Sequence, residues 1–178
     1  MMHTVQKTCF LLGFMGSGKS YLGRQLAPLL GVPFVDLDAV IEKAEGYSIA
    51  QLFAGKGEAW FRRIERRHLL QTGSYPPCVV ATGGGTPCFF ENMDWMNRHG
   101  VTVFLNVPEQ ILISRLLEQR GSRPLLAGVP DQDIEPVIKQ MFLERAPWYS
   151  KAQLTVEPGE ALLPFLKALA AKIRDLSA

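Results

Sequence analysis

The chain has 178 residues, 47% of them hydrophobic, a size and composition that suit one domain with a full core. Nineteen basic residues against 17 acidic ones leave a net charge of +2, which argues against a coat for nucleic acid or anionic membrane and makes any anion site local. The three cysteines, Cys9, Cys78 and Cys88, are an odd number, and His3, His68 and His99 lack metal-ligand spacing, so a reduced, cytoplasmic protein without a zinc site is expected. No apolar run is long enough to span a bilayer, and no leader is expected.

Residues 9–12 form a short apolar run that predicts a buried strand, followed at once by Gly13, Phe14, Met15, Gly16, Ser17, Gly18, Lys19 and Ser20. This fits G-x-x-x-x-G-K-[ST], and Leu22, Leu26, Leu29 and Leu30 recur behind it at helical spacing. Glycines let the backbone fold around phosphate oxygens, so that N–H groups and the positive end of the next helix face the anion. Lys19 would reach the β- and γ-phosphates and the Ser20 hydroxyl would ligate Mg²⁺. A chance glycine turn is the alternative, and the strand before and helix after favour a nucleoside-triphosphate site. Pro28 is predicted to end or kink that helix.

Residues 34–38 read as a strand closing on Asp36 and Asp38, which point to the same side where ligands collect beyond a parallel sheet. Helix capping is the competing role, and one of the pair can fill it. A short helical turn over 49–53 and a helix from 58 to about 70 follow. The second helix puts Phe61, Ile64 and His68 on one side and Arg62, Arg63, Arg66 and Arg67 around the rest. A solvated face with Glu58 pairing to Arg62 explains most of these charges, and composition does not single out one arginine.

The apolar run at 78–82 predicts a central parallel strand, and Gly83, Gly84 and Gly85 follow directly. Bare backbone for a ligand and a plain flexible turn stand level as explanations. The strand ends in Ala81-Thr82 where many phosphate-loop proteins carry a Mg²⁺-organising Asp, which leaves Asp36 as the substitute. A helix over 89–98, stopped by His99-Gly100, a strand over 101–107 and a helix over 111–120 come next, and no guanine-reading Asn-Lys-x-Asp follows that strand. Two glycines and two prolines surround Arg123 between 121 and 130, predicting a mobile lid over about 121–133 in which Arg123 neutralises the moving phosphoryl group; a surface linker is the alternative. Ile134, Val137, Ile138, Met141 and Phe142 make a core stripe that Pro147 is expected to end, with Trp148 and Tyr149 as packing residues. A last strand over 153–156 and a helix carrying Leu162, Leu166, Leu169 and Ile173 complete a three-layer α/β domain over 1–178 with a largely parallel sheet.

Taken together, the loop at 13–20, Asp36-Leu-Asp38, Phe61-Arg-Arg-Ile-Glu65, Gly83-Gly-Gly85, Arg123-Pro-Leu-Leu-Ala-Gly128 and Arg145-Ala-Pro-Trp-Tyr149 resemble the shikimate kinases along almost the whole chain. The resemblance implies a P-loop kinase fold with five parallel strands in the order 2-3-1-4-5, a substrate-binding helical segment over about 37–62, and phosphorylation of the 3-hydroxyl of shikimate by MgATP on the route to aromatic amino acids. It implies that Asp38, Arg62, Gly83, Gly84, Gly85 and Arg145 bind shikimate, that Asp38, Lys19 and Arg123 serve catalysis, and that Arg123 is the lid residue meeting ATP. Gly16, Ser17, Gly18, Lys19, Ser20 and Tyr21 would wrap the phosphates, and Ser20, with Asp36 behind it through water, would hold Mg²⁺. A monomer without nucleic-acid or membrane partners is expected. Tyr21 departs from the Thr common in the family, and the region after Tyr149 matches weakly. Another small-molecule kinase, such as a gluconate or adenylate kinase, and a nucleotide-dependent binding module are the alternatives.

Overall fold

The structure is a computed structural model that describes residues 5–118, 124–126, 128–159 and 161–177. Among them, β1 (Thr8–Leu12), β2 (Phe34–Asp36), β3 (Val79–Ala81), β4 (Gly100–Leu105) and β5 (Leu154–Val156) form one parallel sheet in the order β2-β3-β1-β4-β5. This is the order the resemblance implies. Alternation along β1 sends Cys9 and Leu11 to one face and Phe10 and Leu12 to the other, and all four are buried. A strand covered on both faces has to be apolar throughout, hence the unbroken run.

On the first face, α1 (Lys19–Leu30) and α8 (Leu162–Ser177) pack Leu22, Leu26, Leu166, Leu169 and Ile173 against Cys9, Leu11, Val79 and Val103. The second face carries α2 (Leu37–Glu45), α3 (Ile49–Lys56), α4 (Glu58–Gln71) and α5 (Asn92–His99), whose Leu37, Ile41, Leu52, Phe61, Leu69 and Met93 meet Phe10, Leu12 and Val80. A third cluster joins Phe14 and Met15 to α6 (Glu109–Glu118) and α7 (Asp131–Tyr149) through Leu112, Leu116, Ile134, Ile138 and Tyr149.

Several expected boundaries shift. Pro28 neither ends nor breaks α1, which runs on to Leu30 and closes on Gly31; the proline lies in the last turn and removes a single backbone bond. Pro147 likewise sits inside α7, which continues through Tyr149. The helix expected from 89 starts at Asn92, because Phe90 and Glu91 hold φ of 50° and 59° and a 3₁₀ turn occupies Thr86–Cys88. α5 stops at His99-Gly100 as expected, and Gly100 also opens β4. It lies hard against β1, where a Cβ would sit 2.2 Å from the Thr8 carbonyl oxygen. That strand ends at Leu105, short of the expected Val107.

Candidate active site

The loop between β1 and α1 wraps the amino end of the helix. Gly18 caps α1 with φ 87°, a left-handed conformation that a side chain disfavours. The first turn of a helix leaves N–H groups pointing outward along its axis, and here that turn contains Ser20 and Tyr21. The Lys19 ammonium lies inside the loop and donates to the carbonyls of Gly13 at 2.8 Å and Phe14 at 2.9 Å, and to the Ser17 hydroxyl at 3.3 Å. In front is a cavity of about 220 Å³ bordered by Gly16, Gly18, Lys19, Ser20, Tyr21, Asp36, Asp38, Thr82, Gly83 and Gly84. Amide dipoles, an ammonium and a hydroxyl make it an anion site.

A second cavity, of about 410 Å³, adjoins the first and shares Met15, Asp38, Gly83 and Gly84 with it. Its walls include Phe53, Phe61, Arg62, Glu65, Gly85, Leu125 and Arg145. Arg62 departs from the solvated-face reading of α4, which Arg63 and Arg67 fit and whose Glu58–Arg62 pair forms: only 4% of Arg62 is exposed. Its Nε and Nη2 donate to Glu58 Oε1 at 3.1 and 2.9 Å, and Nη1 donates to Glu65 Oε2 at 2.8 Å. The guanidinium also stacks over Phe89, 4.5 Å from its ring centre. Burial pulls its pKa down, but the Glu65 and Glu58 carboxylates outweigh that and the net direction is up, so the cation is secure. Glu65 is fully buried, and its other oxygen accepts from the Thr86 hydroxyl at 2.6 Å. The fifth residue of the Phe61-Arg-Arg-Ile-Glu65 stretch thus holds the second.

The three glycines are required by closeness. A Cβ on Gly83 would come within 2.7 Å of Glu65 Oε1, one on Gly84 within 2.9 Å of the Met15 nitrogen, and one on Gly85 within 2.5 Å of Arg62 Nη2. None of the three has a positive φ. The run is bare backbone, and what packs against it is the chain's own Glu65, Arg62 and phosphate loop, a reason for glycine beside the two set out from the sequence.

Asp36 caps α2, its Oδ1 accepting from the Ala39 N–H at 3.4 Å, while Asp38 lies in the first turn of the helix, facing both cavities. One acid of the pair caps, as the sequence allowed, and the other lines both cavities. Burial raises the Asp38 carboxyl to about 6, and Glu65, Asp36 and Glu42 push the same way against Lys19.

The family model described as shikimate kinase matches residues 15–174. A curated shikimate kinase from Bacteroides fragilis is 46% identical over 143 residues, 80% of each chain. The crystal structure of a shikimate kinase from Bacteroides thetaiotaomicron superposes with a TM-score of 0.83 at 38% identity, covering 96% of this chain and 97% of the other. One from Acinetobacter baumannii, in complex with shikimate, also gives 0.83, at 33% identity over 96% and 92%. The chain belongs to the shikimate kinase family.

Within that family frame, two parts of the site went unread in the sequence. A cavity of about 310 Å³ shares Gly18 and Tyr21 with the anion site and is walled by Leu105, Pro108, Ile111, Arg115, Pro158 and Leu162. Arg115 Nη1 donates to the Gly16 carbonyl at 3.0 Å, tying α6 to the loop. The Pro158-Gly159 pair beyond β5 was the available signal, since ligands gather at the carboxyl ends of parallel strands. Tyr149, expected to pack, also donates from its hydroxyl to the Gly84 carbonyl at 2.5 Å. Arg123, the expected lid residue, lies outside the described residues. No helix among the described residues is long and apolar enough to cross a membrane.

Proposed function

We propose that the protein transfers the terminal phosphoryl group of ATP to the 3-hydroxyl of shikimate, releasing ADP and shikimate 3-phosphate. The observation that carries this reading is the meeting of two cavities at Asp38, Gly83 and Gly84, one built for phosphate and the other holding two arginines and a raised carboxyl. Family membership supports the acceptor, as does the Acinetobacter relative's complex with shikimate.

The substrate's carboxylate pairs with Arg62 and Arg145. A guanidinium has five N–H donors, and Arg62 gives three hydrogen bonds to its own glutamates, which leaves donors for a ligand. Asp38 faces the reacting hydroxyl, orients it and accepts its proton as the new O–P bond forms. A value near 6 leaves it ionised at neutral pH yet basic enough to take the proton. Lys19 and the loop N–H groups hold the β- and γ-phosphates, and the base and ribose lie in the cavity between Tyr21, Arg115 and Pro158. Ser20, with Asp36 behind it through water, offers the hard oxygen donors that suit Mg²⁺. Bound there, the ion would neutralise charge on the phosphate oxygens. Arg123 is proposed as the lid cation over the transferring group.

The test is a coupled ADP-release assay with shikimate, gluconate, AMP and no acceptor in parallel. Turnover with shikimate above the other three arms is expected. Equal rates in all four would leave an ATPase and overturn the reading; a preference for gluconate or AMP would reassign the acceptor.

A further inference from the structure

Glu65 is fully buried on α4, and a carboxylate taken out of water needs donors on both oxygens. Arg62 Nη1 serves Oε2 at 2.8 Å; among the described residues, the donor to Oε1 is the Thr86 hydroxyl, at 2.6 Å. So short a contact is that of a hydroxyl with an ionised carboxylate, which can only accept, and the proton therefore belongs to Thr86. Thr86 is itself fully buried and is not among the walls of the cavity that holds Arg62. Its backbone is fixed on both sides. It opens the 3₁₀ turn after the three glycines with its N–H on the Gly83 carbonyl at 3.2 Å, and its own carbonyl accepts from Asn92 Nδ2 at 2.8 Å. Asn92 Oδ1 accepts in turn from Arg66 Nη1 at 2.9 Å, one turn along α4 from Arg62. A closed circuit of hydrogen bonds thus runs from the helix to the glycine segment and back.

We propose that Thr86 is a positioning residue for substrate recognition: its hydroxyl supplies the donor that Glu65 would otherwise draw from Arg62, and so keeps the arginine's remaining N–H groups turned to the substrate's carboxylate. The proposal rests on the functional reading above and adds a residue to it. Each terminal nitrogen of Arg62 carries two N–H groups and gives one to a glutamate, so each keeps one for a ligand. Deprived of Thr86, the Glu65 carboxylate would close on a second guanidinium N–H, the two-point arrangement that arginine and carboxylate favour, and the substrate would lose that donor. The guanidinium has little room to compensate. A Cβ on Gly85 would fall 2.5 Å from Arg62 Nη2, so the arginine already packs on the residue before Thr86. Branching at Cβ restricts the threonine to few rotamers on its fixed backbone, which keeps the oxygen aimed at Glu65.

Thr86→Val keeps the shape and removes the donor, whereas Thr86→Ser keeps the donor in a smaller side chain. Thr86→Val should raise KM for shikimate about tenfold, the weight of a buried hydrogen bond to a charged group, with KM for ATP and kcat nearly unchanged. Thr86→Ser should restore a KM for shikimate close to that of the wild type. A merely structural threonine would disturb both substrates or follow side-chain size. The second measurement is a double-mutant cycle with Arg62→Lys: because the threonine acts through the arginine, adding Thr86→Val to Arg62→Lys should not raise KM for shikimate further. An unchanged KM in Thr86→Val, a Thr86→Ser variant as impaired as Thr86→Val, or additive effects in the cycle would each overturn the proposal. Should Thr86→Val fail to fold, Thr86→Cys, a weaker donor of similar size, takes its place, with a smaller rise expected in the same constant and an unchanged one overturning the proposal. Wild-type turnover separates the two levels. If the wild type does not use shikimate, the functional reading has failed and the proposal falls with it, whereas a failure confined to the variants leaves that reading standing.

Discussion

Arg62 and Asp38 line the same cavity in surroundings of opposite kind. Around Arg62 charge is matched: Glu65 is buried beside it and held by Thr86, Glu58 closes the outer edge, and Phe89 covers a face. Around Asp38 like charges collect, with Glu65, Asp36 and Glu42 raising its affinity for a proton and Lys19 opposing them. Matched charge keeps a shape; crowded charge stores free energy that is released on taking up a proton. The first arrangement suits recognition and the second suits a base.

The largest expected effect is on the crowded side. Asp38→Asn should lower kcat by about 10²–10⁴-fold while raising the melting temperature, because the amide removes a carboxylate that its neighbours repel. Steady-state kinetics and thermal denaturation of the same sample check both halves, and an unchanged kcat would remove Asp38 from catalysis. On the matched side, Arg62→Met strands Glu65 without its buried partner. A loss of about 3–5 kcal/mol in urea unfolding is expected, together with a higher KM for shikimate, and adding Glu65→Gln should restore much of the stability. If the single variant were as stable as wild type, the matched cluster would not be a structural unit.

Acidity sharpens the contrast further. With Asp38 at about 6, kcat/KM should fall about tenfold per unit as the pH drops below that value, a limb that Asp38→Asn should lack. The folded-state value lies above the ordinary carboxyl value, so the ionised group destabilises the fold. That penalty is fully present above about pH 6 and disappears as the pH falls toward about 4. The melting-temperature gain of Asp38→Asn should therefore shrink over this window, and a constant gain would contradict the assigned cause. The smallest effect belongs to Glu58, whose side chain is 45% exposed. Glu58→Gln should cost under about 1 kcal/mol, since exposed ion pairs contribute little and Glu65 still holds Arg62; a larger loss in chemical denaturation would mean both glutamates share the task.

The sheet and the phosphate loop were legible because their signals are local: an apolar run, a glycine pattern and leucines at helical spacing within residues 9–30. Arg62 was not. Its helix reads as charged and solvated, and its burial comes from Glu65, Thr86 and Phe89, the last two on a segment that sequence spacing cannot place beside α4. The same holds for Gly83, Gly84 and Gly85, whose need to be glycine lies in distances to Glu65, Met15 and Arg62. Family resemblance picked out Arg62 where composition could not. It left Tyr149 and the cavity at Pro158 unread, the first because its hydroxyl partner lies across the fold on Gly84, the second because no motif marks the segment after Tyr149, although the family model runs on to residue 174. Pro147, expected to end its helix, and Pro28, expected to end or kink its own, both lie inside helices that run on past them, since near a helix end a proline removes only one bond.

The position of β1 in the middle of the sheet has a consequence for biosynthesis. Its neighbours are β3 and β4, paired through Cys9 with Val79 and Val101, so the strand that delivers the glycine loop waits for partners translated much later. A nascent chain halted before Gly100 would already contain every letter of the nucleotide motif and still lack the flanking strand that fixes it. Ribosome-bound fragments should accordingly gain nucleotide affinity only after β4 has cleared the exit tunnel.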